Sequence, residues 1–217
     1  MNHLSTNLED RSILFLMHGI MSGTSDIRWP DTGERMAHEE RPDLIVLKER
    51  YFAGPFPRMT ALIANRRQTR LAVRRAAQYP PNIPVHIAAH SNGCVIAMKT
   101  ADELVKQGRK VGKVILMQAA LPSKAETLYK RYPHAMGMSG PWIEAWGSPN
   151  DRIVGRWIWP FRWMRWPWGD LGGVGLQPGD LPQFKTVMDP KHNHGSRTKP
   201  PEVFRTIRQI FDAIPKR

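Results

Sequence analysis

Ser91 lies in a stretch of sequence that favours a reactive hydroxyl group. A run of β-type residues leads into Ala-His-Ser-Asn-Gly at positions 89–93, and a helical pattern follows directly. A serine at such a strand–turn–helix junction is held in a strained backbone conformation that pushes its hydroxyl out above the sheet. Small residues two positions to either side, here Ala89 and Gly93, let the strand and the helix approach each other. Ser91 is therefore the predicted nucleophile.

The elements that must position this serine alternate along the chain. Apolar β-type runs alternate with helical patterns, which predicts an α/β fold, a mostly parallel sheet of about six strands with helices on both faces. The predicted strands are Ser12–Met17, Leu44–Leu47, Val85–Ala88, Lys113–Met117, Trp142–Trp146 and Phe184–Met188. Helices are predicted near residues 59–78 and 92–107, and a last helix begins at Pro200 and Pro201.

Two of the predicted helices carry apolar residues at three-to-four spacing, a pattern that faces the core. In the helix after Ser91 these residues are Cys94, Ala97, Met98, Ala101, Leu104 and Val105. In the last helix they are Val203, Phe204, Ile207, Ile210, Phe211 and Ile214. We expect the last helix to close the sheet at one flank.

The composition fits one compact domain that spans residues 1–217, since 217 residues with 41% hydrophobic content can bury one sizeable core. The single cysteine, Cys94, excludes an intramolecular disulfide. The N-terminus lacks the pattern of a signal peptide, and no apolar segment reaches the roughly 18 residues of a membrane-spanning helix. We therefore expect a cytoplasmic protein that is soluble or peripheral to a membrane.

The net charge of +13 favours anionic partners such as lipid headgroups, nucleic acid or acidic substrates. Part of the excess lies in five arginines, of which Arg67, Arg70 and Arg74 line one face of a predicted helix. The five are Arg66, Arg67, Arg70, Arg74 and Arg75. A solvated helix face is the favoured explanation for them. Nucleic acid is not expected, because no aromatic platform or nucleic-acid motif accompanies the arginines.

The sequence around Ser91 resembles the nucleophile elbow of the α/β-hydrolase family, which reads Gly-x-Ser-x-Gly. A histidine often precedes the serine in that family, as His90 does here, and Ala89 replaces the first glycine. The resemblance covers nearly the whole chain from Ser12 onward, although the two leading antiparallel strands of larger members are missing. It implies a minimal serine hydrolase, similar to esterases and lipases, that requires no cofactor.

The same resemblance implies an oxyanion hole. The first predicted strand ends in His18-Gly19, and in the family the residue after this His-Gly donates a backbone N–H to the oxyanion. By position that residue is Ile20, and its partner is the N–H of Asn92, which follows the nucleophile. A plain turn is the alternative for His18-Gly19.

Three side chains are predicted to contact the substrate of this site. They are Met21, His90 and Trp163.

The acid of the family's triad is expected in a loop after the fifth strand, where Asp151 lies. A carboxylate there would bind the Nδ1–H of the catalytic histidine, fix its tautomer and stabilise the imidazolium. An ordinary turn at Asn150-Asp151 is the alternative. Weaker substitutes for the acid are Asp170, Asp180 and Asp189.

The base is expected in a loop after the last strand, which offers His192 and His194. His194 fits better, because the family commonly places a small residue after the histidine and Gly195 follows here. The chain order Ser91, Asp151, His194 matches the order of the family's triad. A metal site at the two histidines is disfavoured, since no matching set of ligands is evident.

Residues 156–182 form a predicted covering segment that is rich in tryptophan and arginine. Its tryptophans are Trp157, Trp159, Trp163, Trp166 and Trp168. Tryptophan and arginine together favour the membrane–water interface, which predicts a lid or interfacial surface that admits an apolar substrate near Ser91. Alternatively the rings pack on the sheet flank with arginines stacked over them.

The predicted function is that of a serine hydrolase that cleaves a small-molecule or lipid carboxylic ester through an acyl-enzyme. An anionic membrane surface is a further predicted partner. The alternative is a non-catalytic protein with the hydrolase fold that uses its basic surface to bind an anionic membrane or nucleic acid. The sequence carries no signal for an oligomeric state.

Overall fold

A computed structural model describes residues 11–19, 29–49, 57–151, 154 and 169–213 of the chain. The strands are β1 (Ser12–Met17), β2 (Leu44–Glu49), β3 (Val85–His90), β4 (Val111–Met117), β5 (Trp142–Gly147) and β6 (Phe184–Met188). The helices are α1 (Trp29–Glu40), α2 (Pro57–Ala76), α3 (Gly93–Lys106), α4 (Ala125–Arg131), α5 (Leu171–Val174) and α6 (Pro200–Ala213). A turn of 3₁₀ helix covers Ser196–Thr198.

The strands form one six-stranded sheet in the order β2-β1-β3-β4-β5-β6, and every pairing is parallel. This confirms the predicted α/β fold with a mostly parallel sheet. A parallel sheet is covered on both faces, so its central strands read as near-continuous apolar runs. All six residues of β1 and of β3 are buried, whereas the edge strands β2 and β6 are only partly buried.

Two cores lie on opposite faces of the sheet. Successive side chains of a strand point to opposite faces, so Ile13 and Phe15 of β1 join the core under α2 and α3, while Leu14 and Leu16 join the core under α1 and α6. Each fully buried side chain of this size stabilises the fold by about 1.5–3 kcal/mol. The sheet is therefore a rigid platform for the loops at its edge.

The last helix differs in one position from the predicted core stripe. Val203, Ile207, Ile210 and Phe211 are buried, but Phe204 is 38% exposed. Thr206 faces the core instead, where its hydroxyl contacts the sulfur of Met117 at 3.5 Å. The helix packs across β3 and β4, the central strands, instead of at a flank of the sheet. Ile214 lies outside the described residues.

Three helices were not predicted from the sequence. Helix α1 buries Pro30 in its first turn and Gly33 in its interior, and glycine normally weakens a helix interior. Helices α4 and α5 span only 7 and 4 residues, too few for a periodic pattern. No helix of the described ranges combines the length and the apolar character that a membrane span requires.

His86 gives the fold an expected dependence on pH. Its ring in β3 is 4% exposed, and Nδ1 accepts a hydrogen bond from the backbone N–H of Lys113 at 3.1 Å. Burial, and then the nearby charges of Arg41, Lys110 and Lys113, lower the pKa of His86 to about 4. A histidine in the unfolded chain has a pKa near 6.5. The contribution of neutral His86 to the free energy of unfolding is therefore fully present above about pH 6.5, and about 3 kcal/mol of it is lost as the pH drops to about 4.

We expect the variant His86→Gln to lose less stability on acidification than the wild type. Glutamine retains an acceptor for the Lys113 N–H but does not titrate. The free energy of unfolding from urea titrations at about pH 7 and about pH 4.5 measures the difference, which we expect to be about 2 kcal/mol smaller in the variant. Equal losses in both proteins would contradict the assignment to His86.

Candidate active site

The backbone at Ser91 has the strained conformation that the sequence predicts. Ser91 lies between β3 and α3 with φ = 54°, in the left-handed region that costs a non-glycine residue about 1–2 kcal/mol. Its N–H donates to the carbonyl of Met117 at 2.9 Å, and its own carbonyl accepts from the N–H of Cys94 at 3.1 Å. These bonds to β4 and α3 hold the turn in place.

The positions two residues from Ser91 are closely packed. A Cβ atom on Gly93 would lie 2.6 Å from the carbonyl oxygens of both Met17 and His18, so only glycine fits there. Ala89 is fully buried in β3. The close approach of α3 to the end of β1 therefore depends on a missing side chain, as the sequence pattern predicts.

Ser91, His194 and Asp151 are connected by hydrogen bonds. His194 Nε2 lies 3.0 Å from Ser91 Oγ, and His194 Nδ1 lies 2.9 Å and 3.1 Å from the two carboxylate oxygens of Asp151. Asp151 is fully buried, and its Oδ1 also accepts the N–H of Val154 at 3.0 Å. A carboxylate at Nδ1 selects the tautomer with the proton on Nδ1, so that Nε2 can accept the hydroxyl proton of the serine.

His192 lies in the same loop but makes different contacts. Its Nδ1 is 3.1 Å from Ser196 Oγ, and its Nε2 is 3.2 Å from an Asp189 carboxylate oxygen and 3.7 Å from one of Glu202. It therefore links the loop to itself and to α6. Of the two predicted bases, the structure brings His194 to Ser91.

Two of the weaker substitutes for the acid, Asp180 and Asp189, bind backbone N–H groups close to them in the chain. Asp180 accepts the N–H of Thr186 at 2.7 Å. Asp189 accepts the N–H of Lys191 at 2.9 Å, and this bond lowers the pKa of its carboxyl.

Within the parts of the chain that the structure describes, no three His, Cys, Asp or Glu side chains are grouped so that they could hold a metal ion.

Gln118 holds the loop that carries His194, and this residue was not predicted from the sequence. It follows β4 directly, is fully buried and has φ = 43°. Its Nε2 donates to the carbonyl of Asn193 at 2.6 Å, next to His194. A polar residue at the carboxyl end of a central parallel strand was the available signal, because these strand ends share one edge of the sheet.

Two further bonds join the histidine loop to the loop after β5, which carries Asp151. Ser148 Oγ donates to the carbonyl of His192, and Asn150 Nδ2 donates to the carbonyl of Pro190, both at 2.6 Å. The acid and the base are thus positioned by one connected network.

His90 is placed beside the base and away from solvent. It is 1% exposed, its ring centroid lies 5.0 Å from that of His194, and its Nε2 lies 2.7 Å from the carbonyl oxygen of His194. With the proton on Nε2, the ring donates to this carbonyl. The predicted substrate contact of His90 remains a prediction that this burial does not favour.

Of the two predicted donors of the oxyanion hole, Asn92 belongs to the described residues. Asn92 is 2% exposed, and its side chain forms two hydrogen bonds with that of Asn65, at 2.8 Å and 3.2 Å. Its backbone adjoins the N-terminus of α3, where the helix dipole favours negative charge. A Cβ atom on Gly19 would lie 2.8 Å from Cβ of Ser91, so the His18-Gly19 turn reaches the serine.

Three predicted site residues lie outside the described residues. They are Ile20, Met21 and Trp163. The same holds for the five tryptophans of the predicted covering segment. Its described end, from residue 169, packs against the loop after β4, where Gly172 N donates to Ala119 O at 3.0 Å and Leu171 N donates to Leu121 O at 2.9 Å.

No family model and no curated protein matches this sequence. Its fold is similar to that of several solved structures. An esterase of the fungus Rhizomucor miehei matches with a TM-score of 0.54 at 13% identity, over 96% of this chain and 77% of that one. A protein of Listeria innocua matches with a TM-score of 0.58 at 9% identity, over 91% and 92%.

A type II thioesterase of the yersiniabactin biosynthetic pathway matches with a TM-score of 0.52 at 14% identity, over 95% of this chain and 94% of that one. At these identities the likeness shows the fold. Together with the sheet order, it shows that this chain has the α/β-hydrolase fold.

Proposed function

We propose that this protein is a serine hydrolase that cleaves carboxylic esters through an acyl-enzyme. The observation that carries the proposal is the chain of hydrogen bonds from buried Asp151 through His194 to Ser91, on a backbone strained to φ = 54°. Such a chain activates a hydroxyl for attack on a carbonyl carbon. The structurally similar esterase and thioesterase support this reaction class.

In the proposed first step, Ser91 Oγ attacks the ester carbonyl carbon while His194 Nε2 accepts the hydroxyl proton. Asp151 stabilises the imidazolium, and the backbone N–H groups of Ile20 and Asn92 donate to the oxyanion. The tetrahedral intermediate collapses as Nε2 gives its proton to the leaving alkoxide, which departs as an alcohol. The acyl group is then bound to Ser91 as an ester.

In the second step a water molecule attacks the acyl carbon and His194 Nε2 accepts its proton. Collapse of the second intermediate returns that proton to Ser91 Oγ and releases the carboxylic acid. A thioester would follow the same steps with a thiol as the leaving group. The reaction requires no cofactor.

A hydrophobic or lipid-like acyl group is the proposed extension of this substrate class. It depends on the tryptophans of residues 156–168, with Trp163 as the proposed contact. Equal turnover of short soluble esters and long aggregated esters, unchanged by Trp163→Ala, would argue against it.

A fluorophosphonate probe tests the proposal without a guess about the substrate. The probe should label the wild type at the peptide that contains Ser91, as read by mass spectrometry. The matched pair His194→Ala and His192→Ala then separates the base from its neighbour in the loop. We expect labelling to fall strongly only in His194→Ala, and an unlabelled wild type that is folded by circular dichroism would overturn the proposal.

We expect Gln118 to position the base, with an effect on kcat and little on KM. Loss of its bond to Asn193 frees the loop, and we expect kcat to fall about tenfold in both Gln118→Ala and Gln118→Gly. The two variants should differ in stability, because glycine relieves the strain at φ = 43° by about 1 kcal/mol and alanine does not. Steady-state kinetics and thermal unfolding check both parts, and a change in KM alone would contradict a positioning role.

A further inference from the structure

A concave surface lies between α2 and α3, separate from the Ser91 hydrogen-bond chain. It is a groove of about 490 Å³, and its walls include five basic side chains. These are Arg66, Arg70 and Arg74 of α2, Lys99 of α3 and Arg131 at the end of α4. Arg67, although exposed on the same helix, does not line it.

The five basic side chains of this groove have no carboxylate partners among the described residues. None of them forms an ion pair within 4.0 Å there, in contrast to Arg41, Lys48 and Arg75. One of the two carboxylates in the groove, Asp102, accepts the N–H groups of His134 and Ala135 at 2.7 Å and 2.9 Å. These bonds tie Asp102 to the connection after α4. The second carboxylate is Glu103, so five basic groups face two acidic ones and the groove stays positively charged.

Lys99 shows that the arrangement is electrostatically unfavourable for the free protein. Its side chain is half-buried, and burial, followed by the charges of Arg66 and Arg131, lowers the pKa of its ammonium group. Like charges that converge in a concave surface focus a positive potential there. A multivalent anion would relieve the repulsion.

We propose that the groove between α2 and α3 binds a small molecule that carries two or more phosphate groups. Arginine forks match phosphate oxygens with paired hydrogen bonds, and the volume is within the range of small-ligand sites. A bilayer is a poorer partner, because a flat surface can reach the four exposed arginines but not the half-buried Lys99. The site lies beyond the proposed hydrolysis and does not depend on it.

One end of the groove, at Arg66, lies close to the candidate active site. Arg66 follows Asn65, whose side chain is hydrogen-bonded to that of Asn92, the neighbour of Ser91. Lys99 lies six residues beyond Gly93, roughly 9 Å along the axis of α3.

Titration calorimetry with inorganic pyrophosphate at low salt tests the proposal. We expect Arg66→Gln/Arg70→Gln to weaken binding by at least about tenfold, because charge-assisted contacts are lost. The matched control Arg67→Gln/Arg35→Gln removes the same charge from exposed positions outside the groove and should bind within about twofold of the wild type. Equal weakening in both double variants, or no binding heat in the wild type, would overturn the proposal.

Three further measurements separate the site from its alternatives. Lys99→Met should raise Tm, because it removes a charge that burial and the neighbouring arginines disfavour, and it should weaken pyrophosphate binding. A Lys99→Met variant with a lower Tm and unchanged pyrophosphate binding would refute the role of Lys99. Ser91→Ala should bind pyrophosphate like the wild type whether or not the protein is a hydrolase. The third measurement is sedimentation with phosphatidylserine vesicles or capture of a DNA oligonucleotide. Binding there that pyrophosphate does not displace and that Arg66→Gln/Arg70→Gln does not reduce, in a protein that gives no heat with pyrophosphate, would overturn the small-molecule site.

Discussion

Replacement of Ser91 by alanine is expected to lower kcat for a p-nitrophenyl ester by about five to six powers of ten. Ser91 Oγ is the atom that forms the acyl bond in the proposed reaction. No other hydroxyl of the described residues lies within hydrogen-bond distance of His194 Nε2. Ester hydrolysis measured by absorbance gives the rate, and the intact mass after a fluorophosphonate pulse gives the labelling. We expect Ser91→Ala to lose ester hydrolysis and fluorophosphonate labelling together.

The controls for Ser91→Ala separate chemistry from folding. Alanine has the same Cβ as serine, so the strain at φ = 54° persists and Tm should stay within a few degrees. Ser139→Ala alters an exposed serine and should retain wild-type rates. Residual activity of more than about a hundredth of the wild type in a purified Ser91→Ala protein would assign the nucleophile to another residue.

Asp151→Asn is expected to lower kcat by about four powers of ten. Asparagine is close to aspartate in shape, and its Oδ1 can still accept the N–H of Val154. Its amide, however, presents a donor to His194 Nδ1 and selects the tautomer with the proton on Nε2, which cannot accept the proton of Ser91. KM should change little, since Asp151 is fully buried and does not reach a substrate.

Asp180→Asn is the matched control for Asp151→Asn. Asp180 was a substitute candidate for the acid, is exposed, and accepts only the N–H of Thr186 among the contacts described. We expect its variant to hydrolyse the same ester within about threefold of the wild-type rate. If the two variants lost activity equally, Asp151 would not be the residue that orients the base.

These two predictions concern one short network at the carboxyl edge of the sheet. Ser91 follows β3, Asp151 follows β5, and His194 follows β6, so the strand order brings three distant segments to one edge. The bonds from Ser148 and Gln118 then fix the histidine loop. The platform is rigid because both faces of the central strands are packed.

The sheet could be predicted from sequence because its signal is local. Each of the six strands was predicted to within two residues of its observed ends. The residues missed lie at the ends of four strands, and all but Val111 of β4 are polar or small residues that favour a strand only weakly. They are Lys48, Glu49, Ala89, His90, Val111, Gly112 and Gly147. The strain at Ser91 was predictable for the same reason, because a strand, a tight turn and a helix are adjacent in the chain.

The choice of residues around the serine was decided by the tertiary structure. His192 and His194 are two positions apart, and only contacts from far along the chain separate their roles. The carbonyl of His194 bonds to a residue 104 positions away, that of Asn193 to one 75 positions away, and that of His192 to one 44 positions away. The groove between α2 and α3 likewise combines Arg66, Lys99 and Arg131 from three helices. Sequence periodicity reports which face of an element is buried, whereas the partners that meet across the fold depend on how the elements pack.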